Sequence, residues 1–331
     1  MDNHQQHGHI HEHGSSPGSS HGPGPGHGSG HTHERSLTHD HSHSHDHSHA
    51  HGEADQSGLP ELLDLDAEVL HSYLSEVTDL LGELTVDAPP RHILDLGSGT
   101  GTGTLALLRR FEGAEVTAVD MSEDMLQRVT DKVRNAGIDG GRLRTVQADL
   151  DTDWPRDLGP VDLMWASASL HHMADPDRAL AEIHATLRPG GLLAVAEMDA
   201  SPFPRFLSEK IEAELGRPGL EERCHAALAG QHAEAVPHLG DDWGSRLTAA
   251  GFAVAAERRF DIRLSAPLPA ATGRYARATL ARLRDHFRDD MDTEDIAALA
   301  VLLDGDGPGS ILRRDDLTVR TTRLLWVGRK V

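Results

Sequence analysis

Residues 92–103 read HILDLGSGTGTG: an apolar run that ends on an acid and breaks at once into glycine and small polar residues. Such a break marks a strand handing over to a helix, because glycine readily takes the left-handed backbone angles that a tight turn needs. Short runs of leucine and β-branched residues follow: EVTAVD at 115–120, RLRTVQAD at 142–149, VDLMWA at 161–166 and GLLAVAEM at 191–198. Amphipathic stretches lie between them. Ser122 heads one, with Glu123 and Asp124 in its first turn; Asp175 heads another, which RPGG ends. Strands alternating with helices build parallel β-α-β units.

The fold class expected is therefore α/β: a Rossmann-like, doubly wound, mostly parallel seven-stranded sheet. Two late runs, FAVAAERRFDIRL at 252–264 and LTVRTTRLLWVGR at 317–329, supply an antiparallel C-terminal edge. Helical stretches over 203–250 and 270–303 read as cap insertions over the ligand crevice. Upstream, apolar residues from Val69 to Leu84 recur at helical spacing, with Asp66 expected as the N-cap of a single helix.

Residues 1–58 differ in composition. Glycine, serine, proline and histidine dominate, and a segment so poor in aliphatic side chains cannot offset the entropy of ordering, so a disordered His-rich tail is expected. The chain divides on this reading into the tail 1–58, an N-terminal helical segment 59–90, a cofactor-binding core 91–200, and caps with closing strands 201–331.

A formal net charge of −22 argues against a nucleic-acid surface or an anionic membrane as partner. Cys224 is the single cysteine, so no intramolecular disulfide forms, and a cytoplasmic setting is expected. No apolar run reaches the length of a bilayer span.

Which nucleotide the glycines would hold is a question of register. In the dinucleotide pattern G-x-G-x-x-G, counting from Gly97 puts Thr102 at the sixth position. Starting from Gly101 gives GTGTLA, which begins too far past the strand. The residues present are an acid, Asp95, followed by glycine at 97, 99 and 101. A pyrophosphate is repelled by a carboxylate at the strand tip, whereas S-adenosylmethionine carries a sulfonium and an ammonium group that an acid favours. Asp120, ending the second strand, suits a ribose; Asp149, after the third, suits an adenine amine, with Leu150 beside the ring.

LDLGSGTG at 94–101, VTAVDMSEDML at 116–126, VQADL at 146–150, VDLMWASASLHHMADP at 161–176 and LRPGGLLAVAE at 187–197 together resemble the class I S-adenosylmethionine-dependent methyltransferases of the small-molecule type. The resemblance covers roughly residues 90–200. It implies that Asp95, Gly97, Gly99 and Gly101 hold the methionine side of S-adenosylmethionine. It likewise places Asp120 and Met121 at the ribose and adenine, Asp149 and Leu150 at the adenine, and Ala166 beside the methionine moiety.

Methyl transfer to oxygen, nitrogen or carbon of a small molecule relies mainly on alignment, and a base is needed only where the acceptor must lose a proton. His171 and His172 are the candidates. Tyr73 and His71 read as packing residues, or as groups folded over the cofactor. Cys224 and His225 are adjacent and, on a helix, point apart, which disfavours a nucleophilic dyad. No Asn/Asp-Pro-Pro-aromatic or Pro-Cys signature of nucleic-acid methylation occurs.

The tail holds 16 of the chain's 25 histidines. Its densest run, His39, His41, His43, His45, His47, His49 and His51, offers imidazoles suited to Zn, Ni, Co or Cu, apart from catalysis. Two rival readings stand beside the methyltransferase: an NAD(P)-dependent oxidoreductase, and a non-catalytic cofactor-binding or metal-handling protein. The oligomeric state is not readable from the sequence.

Overall fold

The computed structural model describes residues 58–201, 203–286 and 288–331, the side chains of 229–235 excepted. Strands β1 (His92–Leu96), β2 (Glu115–Asp120), β3 (Leu143–Gln147), β4 (Val161–Ser167) and β5 (Leu187–Met198) run parallel. β6 (Phe252–Leu264) and β7 (Val319–Lys330) complete one seven-stranded sheet in the order β3-β2-β1-β4-β5-β7-β6. β7 is antiparallel to both neighbours. The expected mixed sheet with an antiparallel edge is what the chain forms.

Both faces of the central strands are covered, which is why they read as nearly continuous apolar runs. Ile93, Leu163, Trp165 and Leu192 face helices α2 (His71–Leu84) and α3 (Thr102–Arg110), through Val77, Leu81, Leu107 and Leu108. Leu94, Leu96, Met164 and Val195 face α5 (Pro176–Thr186) and α8 (Trp243–Ala249). α4 (Glu123–Asn135) packs Leu126 and Val129 on Ala118 of β2. Its start is as read: Ser122 Oγ accepts from Met125 N–H, acids fill the first turn, and Lys132 and Arg134 oppose the dipole at its end. α5 starts on the Asp175 cap, which accepts from Arg178 N–H, with Pro176 at its first position.

A second core lies in the cap. α1 (Leu59–Val69), α6 (Glu209–Glu214), α7 (Leu220–Ala235), α9 (Thr272–His286) and α10 (Thr293–Leu303) enclose Leu65, Phe206, Ile211, Leu228, Tyr275 and Leu299. The N-terminal segment departs from the expectation of one helix capped by Asp66. The chain breaks at Leu70, and Asp66 lies inside α1, where Arg323 Nη2 donates to its Oδ1 at 2.7 Å and the Tyr275 hydroxyl donates to the same oxygen. A distant cation claims the carboxylate that local spacing assigned to a cap.

Among the described residues no helix is long and apolar enough to cross a membrane. The expected tail, save Gly58, and with it His39 to His51, lies outside the described residues.

Candidate cofactor and acceptor site

The strand order reverses direction between β1 and β4, so the loops leaving their carboxyl ends flank the crevice where open α/β sheets bind ligands. After β1, the chain makes a tight turn in which Gly101 N–H donates to Ser98 carbonyl at 2.9 Å. Gly97, Gly99 and Gly101 all have positive φ, at 67°, 51° and 83°. Gly97 and Gly101 also answer to packing. A Cβ on Gly97 would lie 2.7 Å from Ser169 Cβ, and one on Gly101 would lie 2.9 Å from Val129 Cα in α4. At Gly99 the nearest atom would be Leu63 Cδ1 of α1, at 3.4 Å.

Asp120 ties this turn to the tip of β2. Its Oδ2 accepts from Gly99 N–H at 2.8 Å, and its Oδ1 from Ser122 N–H at 2.9 Å. Each oxygen keeps a lone pair for a further donor. Met121, beside it, is 70% exposed. Beyond β3, Asp149 braces its own turn, accepting from Asp151 N–H at 3.0 Å and Thr152 Oγ1 at 2.9 Å. Leu150 is buried, as is Ala166 at the end of β4.

Asp95 sits behind the loop. Its face of β1 is the one toward α3, and its Oδ2 accepts from Thr104 Oγ1 in the first helical turn at 2.5 Å. Burial pushes its carboxyl up to about 7, against the pull of the Thr104 hydrogen bond. In this structure it braces the glycine turn from beneath.

The loop after β4 carries the most enclosed polar pair. His171 Nδ1 lies 2.6 Å from Glu197 Oε2, at the end of β5. Glu197 Oε1 accepts from Leu170 N–H at 3.2 Å. Both side chains are buried, and the loop enters this position through Ala168, whose φ of 50° places a non-glycine residue in the left-handed region. His172 is exposed, with its ring centroid 4.1 Å from that of His171. Sequence reading named the histidines and missed Glu197. The available signal was an acid embedded in the otherwise apolar LLAVAE.

Sequence reading also missed the strap over the loop. Asp64 of α1 accepts from Thr100 Oγ1 at 2.6 Å and pairs with Lys132 of α4 at 2.5 Å. Tyr73 is half-buried and packs edge-on against Phe260, while His71 is exposed. Cys224 and His225 form no nucleophilic couple. Burial pushes the thiol up to about 12 and holds the imidazole down at about 4, with His225 Nδ1 lying 3.2 Å from Ser201 Oγ.

Two buried hydroxyls at the junction of the β1 and β4 loops, Ser98 Oγ and Ser169 Oγ, have no hydrogen-bond partner. Unpaired hydroxyls in a buried site are costly and point to a polar ligand group there. They fit the charged amino-acid end of S-adenosylmethionine, as the spare acceptors of Asp120 fit a diol. A cavity of about 230 Å³ lined by Asp162, Arg188, Gly190 and Arg329 lies at the opposite, amino end of the strands. Among the described residues, no cluster of His, Cys, Asp or Glu is placed to hold a metal ion.

Residues 93–191 match the profile of a family described as a methyltransferase domain. The chain is 37% identical over 138 residues to a malonyl-[acyl-carrier protein] O-methyltransferase of Laribacter hongkongensis, covering 39% of this chain and 43% of that protein. It is 36% identical over 170 residues to a trans-aconitate 2-methyltransferase of Acidovorax sp., covering 50% and 61%. Over 112 residues it is 39% identical to a demethylmenaquinone methyltransferase of Clavibacter sepedonicus, covering 34% and 43%. The chain thus spans about half the length of the relatives it matches. The profile match, the sheet order and the glycine turn agree: residues 93–191 carry a methyltransferase domain.

Proposed function

We propose that this chain methylates a small molecule, with orientation of the acceptor as the protein's main catalytic contribution. S-adenosylmethionine, when bound, supplies an electrophilic methyl group on a sulfonium. Gly97, Gly99 and Gly101 would bring backbone against it, with Ala166 alongside. Asp120 would accept from the ribose hydroxyls, Met121 and Leu150 would flank the adenine, and Asp149 would accept from its amino group. Asp95 would favour the cationic ligand through the turn it braces.

The single observation that carries this reading is the Asp120 carboxylate, which joins the glycine turn to the end of β2 and keeps acceptor capacity on both oxygens. Calorimetric titration of the full chain tests it. S-adenosylmethionine and S-adenosylhomocysteine are expected to bind in the micromolar range and NAD not at all. Asp120→Ala should weaken the first two by roughly ten- to a hundredfold. Binding of NAD alone would return the oxidoreductase reading.

Where the acceptor must lose a proton, His171 is the base. The Glu197 carboxylate accepts from Nδ1–H, which leaves Nε2 as the nitrogen able to take that proton. His172, exposed beside it, lines the approach. The relatives are named for three different acceptors: malonyl-[acyl-carrier protein], trans-aconitate and demethylmenaquinone. The matched methyltransferase domain ends at residue 191, and acceptor choice is assigned to the segments outside the core, 59–90 and 201–331.

The tail 1–58 is assigned no part in transfer. Its histidines from His39 to His51 would hold Zn, Ni, Co or Cu, and removing metal with a chelator should leave methyl transfer unchanged. A cytoplasmic enzyme with no nucleic-acid or membrane partner is the setting consistent with the charge and the single cysteine.

A further inference from the structure

With β3 at the opposite border, β6 is one of the two terminal strands of the sheet. It pairs with β7 on one side, and among the described residues no strand lies on the other. A free edge of 13 residues is long, and proteins commonly blunt such edges with charge, proline or bulges. The register does shift between Val254 and Ala256, which leaves the stretch from Ala256 to Leu264 regular.

The two faces of that stretch differ. Ala256, Phe260, Ile262 and Leu264 are half-buried, Phe260 against Tyr73 at 5.0 Å, and Arg258 on the same face is exposed; two-fold pairing about Phe260 sets it opposite Ile262. Glu257, Arg259, Asp261 and Arg263 alternate with them and are exposed. Arg259 pairs within the chain with Asp261 at 3.0 Å and Asp199 at 3.3 Å, which holds it along this face.

The alternating charges do not repel a second copy of themselves. Read backwards, the series Glu-Arg-Asp-Arg becomes Arg-Asp-Arg-Glu, which is its own electrostatic complement. Two β6 edges laid antiparallel about a two-fold axis at Phe260 set Glu257 opposite Arg263 of the second copy, and Arg259 opposite its Asp261. Symmetry repeats both pairs, so four opposite-charge pairs line one face while Phe260 meets its equivalent on the other. Directly opposed unlike charges stabilise an antiparallel pair, and like charges oppose it.

Other registers lose this match. Sliding by two residues one way sets Arg259 against itself and Glu257 against Asp261. The other way sets Asp261 against itself and Arg259 against Arg263. Sliding by one places the charged face opposite the half-buried one. Sliding by four keeps only one kind of pair. The edge thus encodes one alignment, and its partner is a strand of identical sequence.

We propose that this chain forms a two-fold dimer by antiparallel pairing of its β6 edges, in the register centred on Phe260. The test is sedimentation of the full chain over a range of concentrations. A chelator is kept present so that metal bridging through histidines contributes nothing. The wild type should dimerise. Glu257→Arg and Arg263→Glu should each raise the dissociation constant about tenfold or more, since each reversal acts twice per dimer. The double variant E257R/R263E should recover the dimer, and an equimolar mixture of the two single variants should form the mixed dimer. Those last two arms also show that the single variants are folded. A monomeric wild type, or one dissociation constant shared by the wild type and all variants, would overturn the proposal.

Discussion

Glu197 Oε2 lies 2.6 Å from His171 Nδ1, with the two side chains 2% and 3% exposed. A carboxylate so placed fixes the imidazole's tautomer and orientation, and the cross-strand position of Glu197 joins the β4 loop to the end of β5.

For an acceptor that loses a proton, His171→Ala should lower kcat by about 10²–10⁴. Glu197→Gln keeps the shape and loses the charge, so its loss should be smaller, about 10–100-fold. Cofactor affinity by calorimetry should stay unchanged in both. If His171→Ala turns over at the wild-type rate with a hydroxyl acceptor, the pair is structural only.

Gly99 and Gly101 separate two uses of glycine. Gly101→Ala meets both a left-handed backbone and the Val129 backbone at 2.9 Å, and should cost about 2–4 kcal/mol of stability. Gly99→Ala meets nothing nearer than 3.4 Å and should cost only about 1–2 kcal/mol. Its larger effect should fall on cofactor binding, because Gly99 lies in the turn proposed to bring backbone against the ligand. Urea unfolding and calorimetry on the two variants decide the matter.

Asp95 gives stability a pH dependence whose sign can be worked out. Burial raises its carboxyl from 3.8 to about 7 in the folded chain, so between those values the native state binds more protons than the unfolded one. Stability is then full below about pH 4, falls as pH rises, and levels off above about pH 7. The fall is up to about 4 kcal/mol for this group. Glu221, also raised by burial to about 7, adds a slope of the same sign. The informative quantity is therefore Asp95→Asn minus wild type, by urea unfolding without cofactor. The variant should gain on the wild type across this window, and a flat difference would contradict the assignment.

The pairing of Asp66 with Arg323 holds α1 to β7. Arg323 is almost fully buried, at 8% exposure, so Arg323→Met leaves Asp66 with Tyr275 alone and should cost about 3 kcal/mol. Replacing both, as Asp66→Leu with Arg323→Met, should cost less than the Arg323 change by itself. Chemical denaturation of the four proteins in a double-mutant cycle measures the coupling.

Much of the core was legible because its signals are local. The Ser122 and Asp175 caps, the parallel strands and the glycine turn each follow from neighbouring residues whose periodicity or geometry leaves few alternatives. Asp66 shows the opposite case. An acid before an apolar helical run has the form of an N-cap, and only the return of β7 brings Arg323 to it. Glu197 was hidden in the same way, since an acid inside an apolar strand reads as a strand end until the β4 loop delivers His171. The Asp64 contacts to Thr100 and Lys132 likewise join three elements whose adjacency no local pattern encodes. In the candidate site, the glycine turn and the strand-end place of Asp120 could be read; what surrounds them could not.

β7 lies between β5 and β6 and hydrogen-bonds to both along most of its length. Within the sheet, β6 is therefore joined to the parallel half only through β7. The parallel half can collapse as soon as residues 92–198 exist, but β6 has nowhere to dock until 319–330 arrive to bridge it. A nascent or truncated chain that stops short of Val319 would leave the β5 border of the parallel half open and β6 without its partner strand. Such a species would be a natural client for chaperones and a ready seed for aggregation.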